Sequence, residues 1–267
     1  MTMRDFTFAD DVPAAWTYHR STARWLFNAS AGGESPPVKP GRENGDLPFT
    51  ALPAGELPTL PLAEALRARV SCRTFRPDAL PLADLATVLR CGYGVEHRSG
   101  TVMQDRPPPS GGGLYPLEIS LLVRAVEGLE PGVYHYVPAV DGLEQVQQIA
   151  LPRAFTTYLF MGQPWVADAA VVAVISFVGA RSLTKYGDRG YRYALLEAGH
   201  TMQNLNLAVA ALGLGAVNLG GFYDDELAVL CGIDIEHEVP LYASAIGHPD
   251  AQRSGRMAMR ALDRGSV

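Results

Sequence analysis

The 267-residue sequence predicts an α+β domain: a mixed, mostly antiparallel sheet flanked by helices, with one long central helix. Three observations carry that expectation. Leu117, Ile119, Leu121 and Val123 alternate with Glu118, Ser120 and Arg124, the pattern of a half-buried strand. Ala169 to Phe177 is a continuous valine-rich run, as in a central strand covered on both faces. Tyr191, Ala194, Leu195, Ala198, Met202, Leu205, Val209 and Leu212 then recur at helical spacing until Gly213 and Gly215 stop them, which makes this helix the hydrophobic spine. Strands first, then a long helix, then a further strand is the order of packed α+β layers.

The other elements follow in chain order. Residues 1–59 form an N-terminal segment, aromatic through Trp16, Tyr18, His19, Trp25 and Phe27, followed by a Pro/Gly-rich stretch from Ala29 that reads as an irregular connector. The compact domain spans 60–267. Pro61 suits the first turn of a helix with Leu62, Ala65 and Leu66 on one face, and Leu82, Leu85, Ala86 and Leu89 mark a second helix that Gly92 can cap. Tyr134–Val137 reads as a strand pairing nearby, with Asp141-Gly142 as a tight turn before Leu143. Asp224 is placed to cap a short helix through Leu230, and Leu241–Ile246 reads as the last strand.

Composition narrows the function. A net charge of -6 leaves no clustered cations for a nucleic-acid backbone. The longest uncharged apolar run falls short of the roughly 20 residues of a membrane span, and the start lacks a signal-peptide pattern, so a cytoplasmic location is expected. Cys72, Cys91 and Cys231 are odd in number and far apart, which speaks for reduced thiols. The six histidines form no metal-ligand pattern, and His200 reads as a core-edge residue of the spine.

Several motifs can carry chemistry, and each has a plainer reading. Arg69 and Arg73, with Ser71 between them, are suited to hold a phosphate, or equally to quiet the exposed carbonyls at a helix end. The loop Pro107-Pro-Pro-Ser-Gly-Gly-Gly-Leu-Tyr-Pro116 strips side chains from a backbone that can approach a flat ligand, with Ser110 as a donor, or is a surface turn. Gly213-Leu-Gly215 ends a helix and lacks the third glycine of a dinucleotide fingerprint. Gly220-Gly221 precedes a helix, where bare amides can meet an electron-rich atom, or is a simple turn. In Lys185-Tyr-Gly-Asp-Arg-Gly-Tyr-Arg-Tyr193, cationic neighbours and partial burial would make Lys185 or Tyr186 a proton acceptor; the alternative is a solvated helix start.

Taken in order, Arg69-Val-Ser-Cys-Arg73-Thr-Phe75, Pro109-Ser-Gly-Gly-Gly-Leu-Tyr-Pro116, Gly132-Val-Tyr-His-Tyr136, Lys185-Tyr186-Gly187, Arg189-Gly-Tyr-Arg-Tyr193, Leu196-Glu-Ala-Gly-His200, Gly220-Gly221-Phe222 and Ile246-Gly-His-Pro249 resemble the SagB-type, McbC-like dehydrogenases of the nitroreductase superfamily. The resemblance implies a nitroreductase-like homodimer with FMN at its interface. By analogy Arg69 reaches the phosphate, Ser71 the ribityl chain or phosphate side, and Arg73 the pyrimidine edge where reduced flavin gathers negative charge. Pro109, Ser110 and Gly111 would come from the second subunit, Gly220 and Gly221 would lie near N5, and Arg253 and Arg256 would help hold the phosphate. Lys185 and Tyr186 match the pair tied to catalysis in members that oxidise thiazoline and oxazoline rings to thiazoles and oxazoles. The implied substrate is a ribosomal peptide or carrier-protein-bound chain, the implied partner a cyclodehydratase or synthetase, and oxygen the oxidant that restores the flavin. The alternatives are an NAD(P)H-dependent nitro or quinone reductase, and a non-catalytic FMN-binding subunit of a biosynthetic complex.

Overall fold

The computed structural model describes residues 13–23, 47–95 and 105–250. Trp25, Phe27, His97 and the connector up to residue 46 lie outside the described residues. The chain runs α1 (Pro13–Ser21), β1 (Phe49–Ala51), α2 (Leu62–Ala68), α3 (Leu82–Tyr93), β2 (Leu117–Val123), β3 (Gly132–Val137), β4 (Gly142–Gln148), α4 (Arg153–Leu159), β5 (Val171–Val178), α5 (Gly179–Tyr186), α6 (Arg189–Ala211), β6 (Gly215–Leu219), α7 (Asp224–Leu230) and β7 (Glu238–Gly247). Seven strands form one sheet in the order β1-β4-β3-β2-β5-β7-β6. Every strand-to-strand ladder is antiparallel; parallel pairing occurs only in isolated bridges, among them Ser71 with Ala216. The expected α+β fold with its mostly antiparallel sheet is the one observed.

The sheet has a core on each face. One is built from Leu117, Ile119, Leu121 and the stripe Ala194, Ala198, Met202, Leu205 of α6, together with α3. The other gathers Val172, Val174, Ala243, Ala245 and the inner side of α7. Strand β5 lies between β2 and β7 and is buried along nearly its whole length, as its valine run requires.

Several local expectations are corrected. Strand β2 is buried at all seven positions, so Glu118 and Ser120 face protein, not water. Gly92 does not cap α3; it lies within the helix, where a Cβ would run into the Leu205 side chain, and Gly94 is the cap. Asp224 is the first residue of α7 and makes no cap bond, Tyr223 holding the cap position. Gly213, at φ 68°, ends α6, whereas Gly215 already opens β6. His200 is exposed, on the outer side of α6. The sheet takes its edge strand β1 from the stretch read as connector, paired with β4 from Phe49 opposite Glu144 to Ala51 opposite Gly142. No helix among the described residues is long and apolar enough to cross a membrane.

Candidate functional site

After α2 the chain turns extended at Arg69, and the Cys72 amide donates to the Ala216 carbonyl at 2.8 Å, laying residues 71–73 along the free edge of β6. Extended backbone alternates its side chains: Cys72 and Thr74 go inward, while Ser71 and Arg73 stay exposed and Arg69 is half-buried. Ser71 and Arg73 therefore share one side of the segment beside β6, with Arg69 just before them at the end of α2. Strand β6 leads directly to Gly220 and Gly221. A Cβ on Gly220 would meet nothing within 4 Å, so open space faces its backbone, and one on Gly221 would lie 3.0 Å from the Met161 sulfur. The Arg73 guanidinium stands 6.0 Å from the Trp165 ring. Between the two segments Asn218 carries a buried Oδ1 with no hydrogen-bond partner among the described residues.

The second group forms at the start of α6. The glycine loop folds into a tight turn at Gly111–Gly113, with Gly112 at φ 69° and Gly113 at φ 66°, conformations that a side chain resists. A Cβ on Gly112 would strike the Tyr186 hydroxyl and the Lys185 ammonium, and one on Gly111 would meet the Tyr193 ring. Lys185 and Tyr186 are the last residues of α5, which stops at Gly187 (φ 56°). The Lys185 nitrogen lies 5.4 Å from the Tyr186 ring, which packs edge-on against Tyr193 at 5.1 Å. The lysine, both tyrosines and the glycine loop are thus one assembly. Arg189 reaches both ways, its guanidinium 5.5 Å from the Tyr193 ring and donating to the Thr22 carbonyl at 2.9 Å, while Arg192 donates to the His19 carbonyl at 3.1 Å and to the Thr22 hydroxyl. They fasten α1 to α6.

Beneath the loop lies a polar network that sequence reasoning did not single out. Ser110 accepts the Tyr115 amide at 2.9 Å, and Tyr115 itself is held at φ 44°, a strained backbone for a large side chain. Glu197 on α6 is 2% exposed and receives the Tyr93 hydroxyl at 2.8 Å. Burial pushes its carboxyl up, and the bond from Tyr93 and the charge of Arg106 only partly oppose this, leaving it at about 7. Arg106 is itself buried, its guanidinium 4.3 Å from the Tyr93 ring and 5.3 Å from Tyr115.

On the far side of the sheet a second buried network anchors α5. Glu118 Oε2 lies 2.8 Å from His135 Nε2, and its Oε1 lies 2.5 Å from the Arg181 guanidinium. Burial alone would raise the Glu118 carboxyl, but the bond from His135 and the charge of Arg181 outweigh it and hold the group at about 2. Arg181 stands one helical turn before Lys185 on α5.

Within one chain the glycine loop and the Ser71 segment sit toward opposite ends of α6. Gly111 packs on Tyr193 near the start of α6, whereas Ser71 pairs with Ala216, just past its end at Ala211. At about 1.5 Å per residue those positions of α6 are roughly 27 Å apart. Arg253 and Arg256 lie outside the described residues.

The profile of the nitroreductase family matches residues 66–248, which includes both groups. The chain belongs to the nitroreductase family. Its fold is accordingly that of a family of flavin oxidoreductases. A candidate nitroreductase of Methanocaldococcus jannaschii is 34% identical over 205 residues, covering 76% of this chain and 98% of that protein. The Escherichia coli microcin B17-processing protein McbC is 32% identical over 146 residues, 53% of this chain and 54% of McbC, so the match spans about half of that relative. Among solved structures, a candidate nitroreductase from Anabaena variabilis superposes with a TM-score of 0.70 at 26% identity, over 88% of this chain and 47% of that one. The E. coli microcin synthetase McbBCD complex with truncated pro-MccB17 bound gives a TM-score of 0.61 at 24% identity, over 93% of this chain and 86% of that one, a likeness of fold.

Proposed function

We propose that this nitroreductase-family chain is an FMN-dependent dehydrogenase that oxidises thiazoline or oxazoline rings to thiazoles or oxazoles on a peptide or carrier-bound chain, and that it works as a homodimer. The observation that carries the reading is the convergence of the Lys185 ammonium and the Tyr186 hydroxyl on Gly112, which sets a proton-handling pair against a glycine-stripped loop. The similarity to McbC, a microcin-processing protein, supports the substrate class.

The residues present fit a flavin mononucleotide. Arg69 and Ser71 offer a cation and a hydroxyl for its phosphate end, the open face of Gly220 admits a flat ring, and the unpartnered Asn218 Oδ1 lies between them, ready to accept from a polar N–H. Arg73 would place positive charge where a ring gathers negative charge. Bound FMN would supply the two-electron acceptor that ring oxidation requires. Lys185 or Tyr186 then takes the proton from the azoline carbon, the other holding the ring by hydrogen bonding. In the homodimer proposed here, an FMN whose phosphate is held at Arg69 on one chain would meet Ser110, Gly111, Lys185 and Tyr186 of a second copy, as the likeness to SagB-type dehydrogenases implies. Leu62, Leu66 and Val70 along α2, and Leu195 and Leu196 on α6, leave the apolar surface such a dimer would cover.

A second reading is a nicotinamide-dependent nitro or quinone reductase. It is favoured by the match to the M. jannaschii protein over nearly its full length. The test is the purified dimer given an azoline peptide, with and without NAD(P)H. Azole formation lost in Lys185→Ala and Tyr186→Phe proteins that keep their FMN supports the proposal. Full turnover by both variants removes the pair from the mechanism, and rapid bleaching of the flavin by NAD(P)H, with no azole formed, favours the reductase.

A further inference from the structure

We infer that the aromatic surface beside Gly220 and Gly221 is a subsite for the substrate peptide, selecting an aromatic residue and a lysine or arginine close to the ring that is oxidised; the inference rests on the azoline reading above. Two segments build this surface, and the backbone ties them together. Helix α4 carries Phe155 and Tyr158 one turn apart, and the Tyr223 amide donates to the Leu159 carbonyl at 3.0 Å, which brings Tyr223 against the end of that helix. Tyr158 and Tyr223 stack with ring centroids 4.7 Å apart and planes at 26°, and both rings stay open to water, at 49% and 40% exposure. Met161, 58% exposed, extends the surface to the glycines. Its amide donates to the Tyr158 carbonyl at 2.9 Å, its backbone is left-handed at φ 54°, and its sulfur lies 3.0 Å from where a Cβ on Gly221 would stand. That conformation is uncommon for a residue with a side chain, and here it lays a thioether against the candidate ring site.

Continuity with Gly220 and Gly221 makes the occupant part of the molecule being oxidised. Two residues of chain separate Gly221 from Tyr223, a reach of at most about 7 Å, so a side chain two or three positions from the azoline arrives at the tyrosines. An aromatic ring covers such a surface best, because it stacks on the phenols and removes their apolar faces from water. The charge beyond the tyrosines defines the next position. Asp224, Asp225 and Glu226 follow Tyr223 directly and are exposed, with Glu226 accepting the Tyr158 hydroxyl at 3.3 Å. The cation of α4, Arg153, is bonded to the Asp168 carboxylate and to the Pro164 carbonyl, and Arg73 belongs to the flavin in the reading above, so the rim stays negative. A negative rim attracts a lysine or arginine and repels the phosphates of a nicotinamide dinucleotide. The complementary occupant is therefore a basic, aromatic peptide segment.

The test uses the FMN-loaded full-length protein and four thiazoline peptides whose ring is flanked symmetrically by Phe-Lys, Ala-Lys, Phe-Glu or Ala-Ala. KM and kcat are read from azole formation, and Kd from fluorescence anisotropy of the matching thiazole peptides, which undergo no chemistry. Phe in place of Ala lowers KM and Kd roughly three- to tenfold, and Lys in place of Glu roughly two- to fivefold, with kcat unchanged. The preference for Lys fades in about 0.5 M salt. Tyr158→Ala with Tyr223→Ala erases the preference for Phe, and Asp225→Lys with Glu226→Lys reverses the preference for Lys. A merely structural role would alter the melting point or kcat and leave both preferences in place. Should loss of both tyrosines prevent folding, the exposed Asp225 and Glu226 pair carries the test. Preferences that are absent in wild type, or that survive the substitutions, overturn the inference. So does a tyrosine double variant that sediments as a monomer, which gives this face to a second copy, or one that loses affinity for NADPH instead of for peptide. No azole from any peptide brings down the azoline reading together with this one, whereas equal turnover of all four brings down this one only.

Discussion

Glu118→Gln removes the anion that Arg181 and His135 share beneath α5. The carboxyl falls from an ordinary 4.5 to about 2 on folding, a depression worth about 3 kcal/mol at neutral pH. Breaking one member of a buried ion pair costs about 3–5 kcal/mol by a separate argument, because Arg181 loses its anion and the fully buried His135 keeps only Glu144, 3.4 Å from its other ring nitrogen. The two figures agree, and they correspond to a melting point lowered by about 6–12 °C. The sign with pH follows from the depressed pKa: the contribution is complete above pH 4.5 and is lost as the carboxyl protonates on the way down to 2. The gap between wild type and Glu118→Gln in urea unfolding should therefore be about 3 kcal/mol at pH 7 and shrink to about 1 kcal/mol at pH 3. Azoline turnover should fall as well, since Arg181 is one turn from Lys185 and its partner pins α5 to the sheet. A stability gap below about 0.5 kcal/mol at pH 7, or one unchanged at pH 3, would refute the assignment of the anchor to this carboxylate.

Glu197 behaves oppositely. Its carboxyl rises from 4.5 to about 7, so wild type should lose about 3 kcal/mol of stability between pH 4.5 and 7, and Glu197→Gln, which cannot ionise, should unfold at higher urea than wild type at pH 8 while matching it at pH 4. Gly112→Ala strains a backbone at φ 69° and drives a methyl into Tyr186 and Lys185; a stability loss of about 1–3 kcal/mol in thermal melts, with a larger proportional fall in turnover, is expected. Arg69→Ala should weaken FMN binding roughly 10- to 150-fold in a fluorescence titration, the worth of a charge-assisted bond, while the exposed Arg76→Ala, whose guanidinium pairs with Asp78, leaves affinity unchanged. Gly92→Ala, forced against Leu205 inside the α3–α6 contact, should destabilise by about 1–3 kcal/mol without altering FMN affinity per folded molecule.

What could be read from the chain was what repeats locally. The valine run of β5 and the stripe of α6 declare themselves because burial on two faces or on one helical side imposes a period on neighbouring residues. The alternation in β2 misled for the same reason: Glu118 has the polarity of a solvent face, and only its register with β3 and the approach of Arg181 from α5 make that face an interior one. Those partners are 17 and 63 residues further on, beyond any local pattern. Strand β6 is only five residues long and too short to show a period of its own between the flanking glycines, although it is the strand that lays Ser71 and Gly220 along one edge. Arg189 and Arg192 looked like cations for Lys185 because sequence gives proximity without direction; the structure bonds both to the end of α1, with Arg189 also against the Tyr193 ring. Glu197 was different, since its signal was present. It falls three residues after Ala194 and one before Ala198, on the buried side of a helix whose other inward positions, Asn206 apart, are apolar or small. An acid at such a position must be neutralised or hydrogen-bonded, because leaving it charged and bare would cost more than the whole protein has to spare. The fold answers by bringing the Tyr93 hydroxyl to it at 2.8 Å, and Tyr93 in turn accepts the Leu117 amide at the start of β2.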